Sequence, residues 1–115
     1  MTLQYTIMNN ITTQEAYNLI QTNKNNPDFI ILDVRTEDEY NESHIEKAVN
    51  MDCFDNDFEN SIDELNKELT YLTYCHSGSR SITAAELMES HSFKNIYNMR
   101  SGFAAWQKAG FPVVK

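Results

Sequence analysis

The chain has 115 residues, 41% of them hydrophobic and 23% charged, with a formal net charge of −8. This length and composition predict a single globular domain over residues 1–115. Because an acidic surface repels phosphate groups, the charge argues against nucleic acid and anionic membranes as partners, and no apolar run reaches membrane-spanning length.

Predicted strands and helices alternate along the chain. In chain order, strands are predicted at residues 5–8, 29–34, 47–51, 70–74 and 94–99. Three pairs match the capping box, in which Ser or Thr precedes Glu by three residues, and each predicts a helix start: Thr12 with Glu15, Thr36 with Glu39, and Ser61 with Glu64. Two further helices are predicted over residues 80–91 and 101–110, the last with Ser101 as its cap and Gly110 as its stop.

This alternation is typical of an α/β domain that has a mostly parallel sheet with helices on both faces. The continuous apolar run at residues 29–34 fits a parallel strand that is buried on both sides. In such sheets, ligands bind beyond the carboxyl ends of the strands. Cys75 directly follows the strand predicted at residues 70–74, so we expect it to lie at a ligand-binding position.

Residues 75–80, with the sequence Cys-His-Ser-Gly-Ser-Arg, predict an anion-binding turn between a strand and a helix. Gly78 can adopt backbone angles that other residues rarely adopt, which allows successive N–H groups to point inward. The N-terminal end of the following helix and the charge of Arg80 also favour an anion. We therefore expect a lowered pKa for Cys75, with the thiolate as the nucleophile.

Three residues of this turn have an alternative interpretation. Cys75 could be a small buried apolar residue, and Arg80 could pair with an acid on the helix surface. His76 could form a thiolate–imidazolium pair with Cys75. Adjacent side chains in a tight turn usually point apart, however, which favours a position for His76 at the pocket rim.

Three residues outside the turn are expected to be structural. Asp33 is predicted to accept backbone N–H bonds at the end of its strand, and Arg35 to pair with Glu39 or another acid. Cys53 is expected to be a small, partly buried residue. The alternative is that Cys53 is a resolving thiol for Cys75.

The number and spacing of the cysteines and histidines limit which covalent and metal sites the chain can form. Two cysteines do not suggest a disulfide scaffold, and neither they nor the three histidines have metal-ligand spacing, so we expect no metal site. The first ten residues have neither the basic start nor the apolar core of a signal peptide. This predicts a reducing, cytoplasmic location in which Cys75 stays a thiol.

Two reaction classes suit an ionised cysteine in an anion-binding turn. In sulfur transfer, Cys75 carries sulfane sulfur as a persulfide; in phosphoryl or arsenate chemistry, it attacks an oxyanion centre. Cysteine phosphatases have one residue more between cysteine and arginine than the four residues 76–79 found here. The shorter turn suits a single sulfur atom better.

Three stretches of the chain resemble the signatures of single-domain rhodaneses, the thiosulfate sulfurtransferase family. They are Asp-Val-Arg followed by Glu-Tyr and His-Ile within residues 31–50, Cys-x-x-Gly-x-Arg-Ser within residues 74–88, and Gly102, Trp106 and Gly110-Phe111-Pro112 within residues 95–113. The chain departs from the family at Ser43 and Lys47, where glycines are usual, and at Ser101, which replaces the first of two glycines.

The resemblance implies a doubly wound α/β domain with a five-stranded sheet, and Cys75 as the nucleophile that carries a persulfide. The residues implied to bind the substrate are those of the turn: His76, Ser77, Gly78, Ser79 and Arg80. The implied reaction needs no cofactor and moves sulfane sulfur from a small anionic donor, such as thiosulfate or a persulfide, to a thiol or cyanide. The alternatives are a relay module that passes sulfur to a protein partner, an arsenate reductase or phosphatase, and an inactive interaction domain, which the intact Cys75 disfavours.

Overall fold

A computed structural model describes residues 8–115 of the protein. Within this range the strands are β1 (Asn9–Ile11), β2 (Phe29–Asp33), β3 (Val49–Asn50), β4 (Thr70–Tyr74) and β5 (Asn95–Met99). The helices are α1 (Thr13–Thr22), α2 (Glu37–Glu42), α3 (Phe58–Asp63), α4 (Ser79–Ser90) and α5 (Gly102–Lys108). The strands form one sheet in the order β1-β5-β4-β2-β3, and every neighbouring pair is parallel. The predicted α/β architecture is confirmed.

Helices cover both faces of the sheet, because successive residues of each strand point to opposite sides. On one face, Leu32 of β2 belongs to a buried cluster that includes Met88 of α4. Its chain neighbour Ile31 belongs to a second cluster on the other face, with Ala16 of α1 and Trp106 of α5. The sheet is therefore buried on both sides, as the apolar run at residues 29–34 predicted.

Two of the three predicted capping boxes form. The hydroxyl of Thr12 accepts the backbone N–H of Glu15 at 3.1 Å, and the Glu15 carboxylate accepts the N–H of Thr12 at 2.9 Å. Thr36 and Glu39 make the same reciprocal bonds at 3.2 and 3.1 Å. Each box satisfies N–H groups that a helix leaves unpaired in its first turn, and it fixes the starts of α1 and α2.

The third predicted helix start, at Ser61, is wrong. The helix α3 covers Phe58–Asp63, so Ser61 lies inside it and Glu64 follows its end. Phe58 and Ile62, one helical turn apart, are both buried. The helix therefore forms where this apolar pair can pack on the sheet, rather than where the capping pattern occurs.

Other boundaries shift by a few residues. The strand predicted at residues 5–8 falls largely outside the described residues, and β1 at Asn9–Ile11 pairs with β5 instead. The strand predicted at residues 47–51 shortens to β3. Gly110 follows the end of α5 with φ of +80°, as a stop residue should, whereas Ser101 occupies the N-cap position without a side-chain capping bond. Among residues 8–115, no helix is both long and apolar enough to cross a bilayer.

The centre of the sheet brings three segments together at the carboxyl end of β4. The N–H of Val34, just after β2, donates to the carbonyl of Tyr74 at 3.0 Å. The N–H of Cys53 in turn donates to the carbonyl of Val34 at 3.1 Å. Residues that follow β2, β3 and β4 therefore lie side by side, next to the turn that begins at Cys75.

Candidate active site

Cys75 is buried at the end of β4, inside the turn formed by residues 75–80. Gly78 has φ of +108° and is the N-cap residue of α4. This left-handed conformation turns the Gly78 N–H back toward the cysteine, and the N–H donates to the Cys75 Sγ at 3.1 Å. The inward-pointing N–H predicted from the glycine is therefore present in the structure.

Opposing effects set the pKa of the Cys75 thiol. Burial opposes ionisation, but polar groups that face the sulfur, foremost the hydroxyl and backbone N–H of Ser81 and then the N–H groups of Gly78 and Ser77, outweigh it; of these, the Gly78 N–H makes the hydrogen bond at 3.1 Å. The pKa of Cys75 therefore lies below its ordinary value. Uncharged donors produce this shift, which fits a thiolate held by an anion-binding nest.

Ser81 is a site residue that the sequence reasoning missed. Its side chain is fully buried, and its hydroxyl donates to the carbonyl of Gly78 at 3.3 Å; it can turn its single proton toward the Cys75 sulfur only by giving up that bond. The pattern of residues 80–91 predicted only a helix, without a role for the hydroxyl in its first turn. Ser81 is the last residue of the Cys-x-x-Gly-x-Arg-Ser signature, and its place there is the signal that could have singled it out.

The first N–H groups of α5 form hydrogen bonds with backbone carbonyls of the turn. The backbone N–H of Phe103 donates to the carbonyl of Cys75 at 2.8 Å, and that of Ala104 donates to the carbonyl of His76 at 3.0 Å. The first N–H groups of a helix have no partner within the helix. Here the turn supplies those partners, so α5 fixes the backbone on both sides of the Cys75–His76 peptide bond.

Two glycines allow this close approach. Gly102 has φ of +71°, and a β-carbon on it would overlap the carbonyl of His76. A β-carbon on Gly78 would overlap the carbonyl oxygen of Arg100. The turn and the start of α5 therefore pack backbone against backbone, at a separation that only glycine permits at both positions.

Arg80 pairs with an acid rather than with the cysteine. Its Nη1 and Nη2 donate to the two carboxylate oxygens of Glu39 at 2.8 and 3.0 Å. Hydrogen bonds and charge from Glu39 raise the pKa of Arg80, and the charge of Cys75 adds to the effect. Arg80 is thus the partner of Glu39, as the structural alternative for this residue anticipated.

Three of the remaining turn residues have exposed side chains: His76, Ser77 and Ser79. The position of His76 at a pocket rim stays a prediction. Cys53 is half-buried beside the same apolar cluster as Cys75, and burial raises the pKa of its thiol.

A buried ionic network lies behind the site. The Arg35 Nη2 donates to Asp33 at 2.7 Å, and the Asp33 carboxylate also accepts the Arg35 backbone N–H at 2.9 Å. The hydroxyl of Tyr74 donates to the same carboxylate at 2.6 Å. Burial raises the pKa of Tyr74 above its ordinary value. The acid partner predicted for Arg35 is therefore Asp33, and these groups join the ends of β2 and β4.

Comparison with known proteins agrees with this geometry. The model of the family described as "Rhodanese-like domain" matches residues 12–109. The chain belongs to the rhodanese-like family.

Several of the relatives that the chain matches are named sulfurtransferases. The thiosulfate sulfurtransferase GlpE of Coxiella burnetii is 30% identical over 84% of this chain and 85% of its own length. A protein named sulfurtransferase from Allochromatium vinosum is 27% identical over 87% of this chain and 92% of its own. The crystal structure of a rhodanese-related protein from Thermoplasma volcanium superposes with a TM-score of 0.78 at 24% identity, over 92% of this chain and 97% of the other. That structure shares the rhodanese-like fold.

Proposed function

We propose that the protein is a sulfurtransferase in which Cys75 carries sulfane sulfur as a persulfide, acting in a reducing cytoplasm. The observation that supports this most strongly is the buried Cys75 sulfur, which accepts the Gly78 N–H at 3.1 Å in a turn that lowers the pKa of the thiol. Such donors stabilise the attacking thiolate. They stabilise an anionic persulfide on the same sulfur in the same way.

The reaction takes place in two displacements. The Cys75 thiolate attacks the outer sulfur of a small anionic donor such as thiosulfate; the donor S–S bond breaks, and sulfite leaves with the electron pair. An acceptor thiolate, or cyanide in an assay, then attacks the outer sulfur of the persulfide and releases the Cys75 thiolate. The cysteine is both nucleophile and carrier, so the reaction needs no cofactor.

A relay module that hands its sulfur to a partner protein is the second candidate. It uses the same Cys75 persulfide and differs only in the acceptor. The exposed side chains of His76, Ser77 and Ser79 around the buried sulfur favour it, because a partner protein can contact them directly. Capture of a partner by the persulfidated protein, but not by the reduced protein, would support the relay.

Phosphatase or arsenate reductase chemistry fits less well. It requires a turn wide enough for a tetrahedral oxyanion, with an arginine whose N–H groups bind that anion. The turn here has four residues between Cys75 and Arg80. Glu39 already occupies the Arg80 guanidinium.

Intact mass spectrometry tests the proposal. The reduced protein is incubated with thiosulfate or with an organic thiosulfonate, beside the variants Cys75→Ser and Cys53→Ser. We expect the parent and Cys53→Ser to gain one sulfur atom and lose it on addition of cyanide, while Cys75→Ser gains none. Sulfur loading of Cys75→Ser would contradict the assignment of Cys75, and no loading of the parent by either donor would contradict the sulfurtransferase proposal.

A further inference from the structure

Arg80 is engaged on two sides. Its guanidinium forms a bidentate ion pair with Glu39, at 2.8 and 3.0 Å. The same group lies 5.6 Å from the ring centroid of Phe54. An arginine that binds an incoming oxyanion would use the fork of N–H groups that Glu39 occupies here.

The carboxylate of Glu39 is itself held in place. Its Oε1 accepts the backbone N–H and the hydroxyl of Thr36, at 3.1 and 3.0 Å. The hydrogen bonds from Arg80 lower the pKa of Glu39 to about 2 against the opposing effect of partial burial. Glu39 is therefore negatively charged throughout the physiological pH range.

The charged groups that act on Arg80 sum to a negative value with it. Glu39 and the Cys75 thiolate are negative, against the one positive charge of Arg80. The segment of residues 52–64 adds six acidic and no basic residues, and its exposed Phe54 contacts Arg80. A donor that reaches the turn from this side therefore meets a negative field.

We propose that Glu39 is a specificity-determining residue, which makes the site prefer sulfane-sulfur donors of low negative charge over the thiosulfate dianion. This inference rests on the proposed sulfurtransferase function. Coulomb repulsion scales with the charge on the donor, so a dianion is disfavoured about twice as strongly, in free energy, as a monoanion. Organic persulfides and thiosulfonates are the donor class that this site selects.

Thiosulfate and an organic thiosulfonate are a matched pair of donors. In both, the Cys75 thiolate attacks the terminal sulfur, a new S–S bond forms, and the donor S–S bond breaks. Thiosulfate releases sulfite, and the thiosulfonate releases a sulfinate. The persulfide formed is the same, and the donors differ in charge by one unit.

Steady-state kinetics with both donors tests the proposal in the parent, Glu39→Gln and Asp38→Asn. Glutamine keeps the capping pattern with Thr36 and removes the charge beside Arg80. Asp38 is an exposed acid on the same helix, so Asp38→Asn removes an equal charge at a different position. The readout is the ratio of kcat/KM for thiosulfate to kcat/KM for methanethiosulfonate, from which any difference in active protein concentration cancels.

We expect Glu39→Gln to raise this ratio about fivefold, and Asp38→Asn to change it less than twofold. An unchanged ratio in Glu39→Gln would overturn the proposal while leaving the sulfurtransferase function intact. An equal rise in both variants would also overturn it, because net charge rather than Glu39 would then set the preference. Absence of Cys75-dependent transfer from both donors in the parent would instead overturn the proposed function, and this proposal with it.

Discussion

The two ends of α4 are held by different kinds of interaction. At its start, the turn from Cys75 is held by backbone N–H groups, by a bond from the Ser81 hydroxyl to the Gly78 carbonyl and by close backbone packing against Gly102. At its end, His91 is held by charge: its Nδ1 lies 2.7 Å from Asp63 and its Nε2 lies 2.8 Å from Glu59. One helix thus joins a site built from uncharged donors to a surface cluster built from ionisable side chains.

This difference predicts how each end of α4 responds to salt and to pH. Backbone N–H groups and a serine hydroxyl do not titrate in the physiological range, and buried hydrogen bonds are little affected by salt. Exposed ion pairs weaken as salt rises, and a histidine loses its charge near neutral pH. The geometry at Cys75 should therefore be constant across conditions under which the contacts of His91 change.

The largest effect is expected from Gly102→Ala. The new β-carbon would overlap the His76 carbonyl, so the turn and α5 must separate, and the residue would also keep an unfavourable φ of +71°. Left-handed strain and overpacking each cost about 1–3 kcal/mol. We therefore expect the free energy of unfolding to fall by about 3 kcal/mol and most sulfur transfer to be lost. Urea unfolding and persulfide formation measure the two effects.

Gly110→Ala is the matched control for this prediction. Gly110 has a similar φ of +80°, but a β-carbon on it would meet nothing within 4 Å. It therefore carries the backbone strain without the overlap, and we expect a loss of about 1 kcal/mol with sulfur transfer retained. If both variants lost equal stability and activity, close packing of α5 on the turn would not be what holds the site.

A smaller effect, confined to the chemistry, is expected from Ser81→Ala. Loss of a hydroxyl that can turn its proton from the Gly78 carbonyl to the Cys75 thiolate should raise the thiol pKa by about one unit, or ~1.4 kcal/mol. The rise of activity with pH should then move to higher pH. Thiolate absorbance measured against pH, in a Cys53→Ser background with a single thiol, gives the pKa directly.

Thr83→Ala serves as the control for Ser81→Ala, because it removes an exposed hydroxyl from the same helix that bonds only the Ser79 carbonyl. We expect an unchanged pKa for Cys75 in that variant. An equal pKa in Ser81→Ala and the parent would mean that the backbone N–H groups stabilise the thiolate without help from the hydroxyl.

Local features of this chain could be predicted from sequence, and contacts between distant residues could not. The boxes at Thr12 and Thr36 form because every group in them lies within three residues. The same pattern at Ser61 failed because burial of Phe58 and Ile62 set the position of α3. A short capping motif fixes a helix start only when the core does not require another.

The same distinction applies within the site. Gly78 and the backbone nest around Cys75 follow from the residues of one turn. The partner of Arg80, by contrast, is Glu39, 41 positions away, and only the pairing of β2 with β4 brings them together. The packing of Gly102 against His76 depends in the same way on α5 folding back over the turn. The spacing of these residues along the sequence does not predict that they are in contact.

The smallest effect is expected at the far end of α4, from His91→Gln. Hydrogen bonds that the protonated His91 ring donates to Asp63 and Glu59 raise its pKa above the ordinary value. A group whose pKa is raised by folding stabilises the protein fully below its unfolded pKa, and this contribution disappears as pH rises through the folded value. The parent should therefore melt at a higher temperature than His91→Gln at pH 6, and the difference should vanish by pH 9.

Two measurements test whether the pH-dependent change in melting temperature comes only from the cluster of His91, Asp63 and Glu59. Lys94→Gln removes a cation from a nearby exposed pair with Glu68 and leaves the imidazole of His91 in place; its melting difference from the parent should not show the pH dependence expected for His91→Gln. The thiolate titration of Cys75 should be the same in His91→Gln and the parent. A shift in the Cys75 pKa in His91→Gln would show that the two ends of α4 are coupled. The surface charges would then change the electrostatic potential at the sulfur, although uncharged donors surround it.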